Sequence, residues 1–196
     1  MGKGEDTKQQ ILAVALNIAT QSSLNDLTIG GLAVATGMSK SGLFAHFKSK
    51  ENLQLEVLNH ANTLFQSIVI KPIDRNSNPL QQLIALCDNW LDWYQLQAKT
   101  CIFIAAAVEF DDQPGAIHDQ VKQDLNTWLN YLTHKVEQVI QGGYFNAELD
   151  AKQFVFELYS LYMGTHSMAW LGLEDTDHSR FNSAFQSLIQ KHTVKE

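Results

Sequence analysis

Apolar residues recur three and four apart along almost the whole chain, the period of helices that bury one face. The first such face runs Ile11, Leu12, Ala15, Ile18 and Ala19, with Asp6 placed to cap it. Thr28, Ser39 and Ser49 each stand just before a further periodic segment, so three short hydrogen-bond acceptors predict three helix starts. The helix after Ser49 is long, with Leu53, Val57, Leu58, Ala61, Leu64, Phe65 and Ile68 on its inner face. Lys71 to Asn78 reads as a loop. Asn78, Pro79 and Gln81 then supply a cap, a proline at the first helical position and a glutamine able to reach back. Leu80, Leu83, Ile84, Cys87, Trp90, Leu91 and Tyr94 continue that fifth helix, and a compact apolar run follows from Cys101 to Val108. A regular face from Ile117 to Ile140 predicts a long helix after Pro114-Gly115, stopped by Gly142-Gly143. Asp150 with Gln153 opens another helix, and the last carries Phe181, Phe185, Leu188 and Ile189. No alternation of period two is framed by turn residues, so an all-α fold is expected.

The chain has 196 residues, 45% of them apolar, enough for one compact domain or a small head on a larger body. Its net charge of −7 at first argues against nucleic acid. The charge is uneven, however. The first fifty residues hold five lysines against three carboxylates, while the remainder holds nine basic and eighteen acidic residues. Salt screens charges beyond about 8 Å, so the field at the head decides any contact with DNA. No run reaches the roughly 18–20 apolar residues of a membrane span, and the polar N-terminus carries no secretory h-region. Cys87 and Cys101 lack metal-ligand spacing and read as small buried hydrophobes in a reducing, cytoplasmic setting. Glu109, Asp111 and Asp112 admit a cation site, although a solvated helix end is the plainer reading. No His-x-x-x-His, nucleophile elbow or phosphate loop is present, so neither an enzyme nor a cofactor is expected.

The informative stretch is Thr28 to Lys50, TIGGLAVATGMSKSGLFAHFKSK. Two short helices flank the turn Thr36-Gly37-Met38-Ser39. A small residue at Ala33 lets the second helix cross close to the first, and Gly37 suits the left-handed backbone of a tight reversal. Ser39 caps a helix whose tip presents Lys40, Ser41 and Gly42: a donor for guanine or phosphate, an adaptable hydroxyl and a point of close backbone approach. Lys48 and Lys50 add charge at the rim, while Leu43 and Phe47 belong to the inward face. A plain helical hairpin in a bundle would explain Ala33 and Gly37 alone. The polar tip and its flanking lysines favour DNA.

Thr28-Ile29, Leu32-Ala33, and Thr36-Gly37-Met38-Ser39-Lys40-Ser41-Gly42-Leu43-Phe44-Ala45-His46-Phe47-Lys48-Ser49-Lys50-Glu51-Asn52-Leu53 together resemble the head of the TetR family over residues 4–64. The resemblance implies a three-helix helix-turn-helix head, a C-terminal antiparallel helical bundle over residues 65–196, and a homodimer. It implies a transcriptional repressor that binds palindromic double-stranded operator DNA and is released by a small, largely apolar effector. Carried over by position, Lys40, Ser41 and Gly42 face base edges. Phe44, Ala45, His46, Lys50 and Thr28 face phosphates. Four features depart from the family pattern. Phe44 lacks the hydroxyl of the usual tyrosine, Ala45 is smaller than usual, and Ser23 replaces a common glycine. Gly30 and Gly31 weaken the second helix by about 1 kcal/mol each relative to alanine.

The body is rich in aromatic residues. Core packing explains most of them. A functional alternative is an apolar cavity lined by Trp90, Trp93, Tyr94, Phe103, Trp128, Tyr131, Tyr162 and Trp170, with His166 or His134 fixing a ligand. The resemblance further implies a four-helix dimer interface from residues 151–172 and 178–192, with Phe154, Leu158, Leu161, Phe181, Phe185 and Leu188 as contacts. Two other readings remain open: a small helical enzyme or carrier with a vestigial head, and a constitutive architectural DNA binder with a fully packed body.

Overall fold

The computed structural model describes residues 3–96, 100–173 and 178–194, the side chains of Lys3, Gln95 and Trp170 excepted. The helices in chain order are α1 (Lys3–Gln21), α2 (Ile29–Thr36), α3 (Lys40–Phe47), α4 (Lys50–Phe65), α5 (Pro79–Leu96), α6 (Ile102–Glu109), α7 (Ala116–Gln141), α8 (Ala151–Trp170) and α9 (Ser179–His192). Among the described residues the only β-type pairing is a single antiparallel bridge between Phe145 and Thr193.

The short polar residues do what their positions predict. Thr28, Ser39 and Ser49 accept from the backbone N–H groups of Gly31, Gly42 and Asn52, and Asp150 accepts from those of Lys152 and Gln153. Each satisfies donors that the first helical turn leaves without partners. Asn78 likewise accepts from Gln81 N at 2.9 Å. The reach-back comes from the next residue instead: Gln82 Nε2 donates to the carbonyl of Ser77 at 2.8 Å. Asp6 is not a cap. The helix already runs from Lys3, so Asp6 and Glu5 sit in its first turn, where the positive end of the helix dipole favours carboxylates. Gly143, at φ 76°, ends α7. Tyr144 N bonds Val139 O and Gly143 N bonds Ile140 O, the paired closure that a left-handed residue permits.

One feature has no counterpart in the sequence pattern. After α4 the chain continues as a π-helical segment, Gln66–Ile70, closed by Lys71 N on Gln66 O at 2.9 Å. The wider turn rotates the buried face, and Val69 becomes fully buried.

Packing divides the chain into two units, Met1–Pro72 with Asp92–Asn126 and Ile73–Leu91 with Thr127–Glu196. In the first, α1 and α2 pack with each other, α3 packs on α2 and α4, and α4 also meets α1 and α6. Leu12, Ala15, Leu32, Leu43, Phe47, Leu53 and Val57 fill this core. In the second, α8 packs along α9, burying Phe154, Leu158, Phe181, Phe185 and Leu188. Cys87 and Cys101 are buried thiols, and burial together with the charge of Asp88 pushes the Cys87 pKa up.

Candidate nucleic-acid interface

Between α2 and α3 the backbone reverses at Gly37, whose φ of 67° costs a glycine nothing. Ala33 is buried at the crossing. The eight residues of α3 then divide cleanly. Leu43 and Phe47 are fully buried, while Lys40, Ser41, Phe44, Ala45 and, just beyond the helix, Lys48 form an exposed stripe. Gly42 and His46 are half-buried on its flank, and Thr28, Ser39 and Lys50 are exposed at the neighbouring helix starts. All ten sequence-derived head residues therefore lie on α3 or at the starts of α2 and α4.

Local contacts position this stripe. Ser39 Oγ accepts from Gly42 N at 3.1 Å and lies 3.2 Å from the Ser41 hydroxyl, so Ser41 is held at the tip. Lys40 leans toward α2. Its ammonium nitrogen is 3.8 Å from where a Cβ on Gly30 would stand. A side chain there would meet the lysine only in ordinary van der Waals contact, so the placement of Lys40 does not require the glycine. Between α3 and α4, Lys48 adopts φ 61° while Ser49 N bonds Phe47 O at 2.6 Å, a tight γ-type reversal that side chains rarely favour. Asn52 Nδ2 donates to the same Phe47 carbonyl at 2.9 Å and braces the turn. Phe44 is 57% exposed, a large apolar ring with no core role.

Long-range polar contacts, none of them visible in the residue pattern, hold the head in place. Gln54, buried on α4, donates to Leu24 O at 2.7 Å. His60 Nδ1 lies 3.0 Å from Gln9 Oε1, and burial lowers the His60 pKa. Lys8 pairs with Glu56 at 3.0 Å. Glu109, at the end of α6, accepts from the Ser23 hydroxyl at 3.1 Å and from Asn25 N at 2.9 Å. One member of the acidic trio thus clasps the α1–α2 turn. Ser23, which breaks the family pattern, is its partner. Contacts between residues more than eighty positions apart have no local signature.

The aromatic residues fall into two clusters. Trp93, Phe65 and Phe103 meet in the first unit, with centroids 5.4 to 6.1 Å apart. In the second unit Trp90 stacks on Tyr162 at 3.9 Å and meets Trp128 edge-on at 5.1 Å, and Trp128 stacks on Tyr131 at 6.0 Å. Tyr94 and His166 are half-buried. The Trp170 side chain lies outside the described residues. His134 is exposed and faces Glu137 at 3.6 Å. Of the expected dimer contacts, Phe154, Leu158, Phe181, Phe185 and Leu188 are buried inside their own protomer, and only Leu161 is half-exposed. The helical period locates an apolar face but does not say whether that face meets the same chain or another.

Among the described residues no helix is long and apolar enough to cross a membrane. Comparison with known families matches residues 11–57 to "Bacterial regulatory proteins, tetR family" and residues 79–185 to "Tetracyclin repressor-like, C-terminal domain". The HTH-type transcriptional repressor KstR2 of Mycobacterium tuberculosis is 25% identical over 152 residues, covering 76% of this chain and 74% of that protein. The HTH-type transcriptional regulator QacR of Staphylococcus aureus is 39% identical over 59 residues, 30% of this chain and 31% of its own. Among solved structures, a TetR transcriptional regulator from Chloroflexus aurantiacus superposes with a TM-score of 0.85 at 20% identity, with both chains fully covered. The second family match alone spans more than half of the sequence, and with the exposed, capped α3 it leads to one conclusion: the chain belongs to the TetR family of DNA-binding transcriptional regulators.

Proposed function

We propose that this regulator is a homodimeric repressor that reads a palindromic operator through α3 and leaves it when a small, largely apolar effector binds the body. Residues 4–64 serve as the DNA-binding domain and residues 65–196 as the sensing and dimerising domain. The observation that carries this reading is the exposed stripe of Lys40, Ser41, Phe44, Ala45 and Lys48 opposite a fully buried Leu43 and Phe47. Lys40 and Ser41 supply donors at the helix tip, where base edges are read. Thr28, Ser39, His46, Lys48 and Lys50 supply phosphate contacts, and helix N-termini add their dipoles. Phe44 has no hydroxyl to offer a phosphate. Its exposed ring suits a thymine methyl or a sugar face.

A partner protomer meets the outward face of α8 and α9. Phe156 is 67% exposed there, beside Leu161 and flanked by Ser160, Gly164 and Ala184, whose small side chains allow close helix approach. The effector site lies at the Trp90–Trp128–Tyr162 stack, whose rings must part to admit a ligand. Within the first unit, Glu109 ties the end of α6 to the α1–α2 turn of the head.

The test is footprinting of the purified chain on DNA flanking its own gene, then a compound screen for release. Protection of a two-fold symmetric site, lost on adding one compound class, is the expected result. Binding of equal strength to all sequences would replace the repressor by an architectural binder.

A further inference from the structure

One cluster in the second unit has charge without a counter-charge. Gln82, in the first turn of α5, holds it together. Its Nε2 donates to Ser77 O at 2.8 Å and, at a longer 3.4 Å, to Arg75 O, while its Oε1 accepts from Lys135 Nζ at 3.0 Å. The same ammonium lies 5.7 Å from the centre of the Tyr131 ring. Lys135 is half-buried on α7, and burial, with the nearby Arg75 charge, lowers its pKa. Arg75 also acts on Tyr131. One amide thus ties an arginine-bearing loop to a half-buried lysine.

A purely structural lysine in this position would be expected to bring a carboxylate, because desolvating a cation without one is costly. The chain holds 21 carboxylates against 14 basic residues, so partners are plentiful. The two nearest in sequence are engaged elsewhere. Asp74 accepts from Asn76 N within its own loop at 2.9 Å, and Glu137 faces His134 at 3.6 Å. Among the described residues neither Arg75 nor Lys135 forms an ion pair. The exposed Arg75 and the half-buried Lys135 bring two like charges within electrostatic reach of each other beside an aromatic ring, in an acidic protein.

We infer that Arg75, Gln82, Tyr131 and Lys135 form a binding site for an oxyanion, a carboxylate or phosphoryl group on a small molecule. The guanidinium supplies a planar pair of donors and the ammonium a point charge, the combination that holds such groups. Gln82 orients the lysine and fixes the loop that carries the arginine. The ring of Tyr131 continues into Trp128 and the aromatic stack, so an apolar body attached to the anion has a surface to lie on. The site stands independently of the operator reading, since it is assayed without DNA.

The experiment is thermal unfolding of the full chain in rising inorganic phosphate or acetate, at constant ionic strength set with chloride. The expected result is a saturable rise in midpoint, as for any ligand of the folded state alone. Lys135→Met, which keeps the stem and its packing, and Arg75→Gln should each weaken the apparent affinity at least tenfold. Lys122→Gln, an exposed lysine elsewhere on α7, should leave it unchanged. Stronger binding of phosphate marks a phosphoryl ligand and stronger binding of acetate a carboxylate. No saturable effect from either anion, or an effect equal in native, Lys135→Met and Arg75→Gln proteins, overturns the site and leaves the DNA-binding reading untouched. A titration of the Lys135 ammonium by NMR gives a second readout if a variant unfolds: a bound anion raises its pKa, and no movement counts against the site.

Discussion

At the scale of single residues, two side chains carry sharp expectations. Lys40 stands at the first position of α3, exposed and leaning over Gly30, with no carboxylate partner among the described residues. Lys40→Ala should weaken operator binding by about 1–3 kcal/mol and relax preference at one base pair. Competition binding against single-base variants of the operator measures both; an unchanged preference would move Lys40 to the phosphates. Asp124 on α7 is a different case. Its Oδ1 accepts from Gln120 at 2.9 Å, and the amide of Asn62 lies close to the same carboxyl. Burial raises its pKa, and the amides of Gln120 and Asn62 offset this only in part. A carboxyl with a raised folded pKa holds its proton more tightly folded than unfolded. Its contribution is therefore best below the unfolded value and is lost as pH rises through the folded one. Asp124→Asn should melt above the native protein at pH 7, and the difference should vanish at pH values below the ordinary aspartate range. A constant difference across that range would show that charge is not the cause.

At the scale of elements, the α6 terminus and the α1–α2 turn form the junction that matters. Glu109→Ala leaves the Ser23 hydroxyl without its acceptor and the Asn25 N–H with only Ser23 Oγ, at 3.0 Å. Losing hydrogen bonds to a charged group at a part-solvated site costs about 1–2 kcal/mol. Faster amide exchange at Asn25, with weaker operator binding, is expected; exchange as slow as in the native protein would show that the turn holds itself. This junction marks the limit of what the sequence carries. Caps at Thr28, Ser39, Ser49 and Asp150 and the α7 stop at Gly143 were legible because each is a bond between residues a few positions apart. The α3 stripe was legible too, since the family motif and the helical period agree on which side faces out. The π-helical segment was not, because five residues are too few to show a changed period. The burial of Phe154, Phe181 and Phe185 within one protomer, and the pairing of Lys135 with Gln82, depend on how distant helices meet.

At the scale of the whole molecule, selectivity demands two heads. On the proposed reading, eight residues of α3 reach too few base pairs to single out one genomic site, and two copies act on one palindrome. Their recognition helices must then lie about 34–36 Å apart, or a multiple of it, to enter successive major grooves. No flexible linker intervenes at the end of the head: α4 passes directly into the π-helical segment and on to Ile70. On the proposed reading, a ligand that tilts this helix changes the spacing. It can do so only by binding the two spacings with different affinity, and couplings of this kind are about 1–3 kcal/mol. Linkage makes the effect reciprocal: saturating operator must weaken effector binding by the same factor by which effector weakens operator binding. Sedimentation should give a dimer at micromolar concentration, and effector titrations with and without operator should differ by roughly 5–150-fold. A monomer, or equal effector affinity in both titrations, would leave the head bound to DNA whatever the body senses. In that case the closely stacked Trp90, Trp128 and Tyr162 would be structural core rather than sensor.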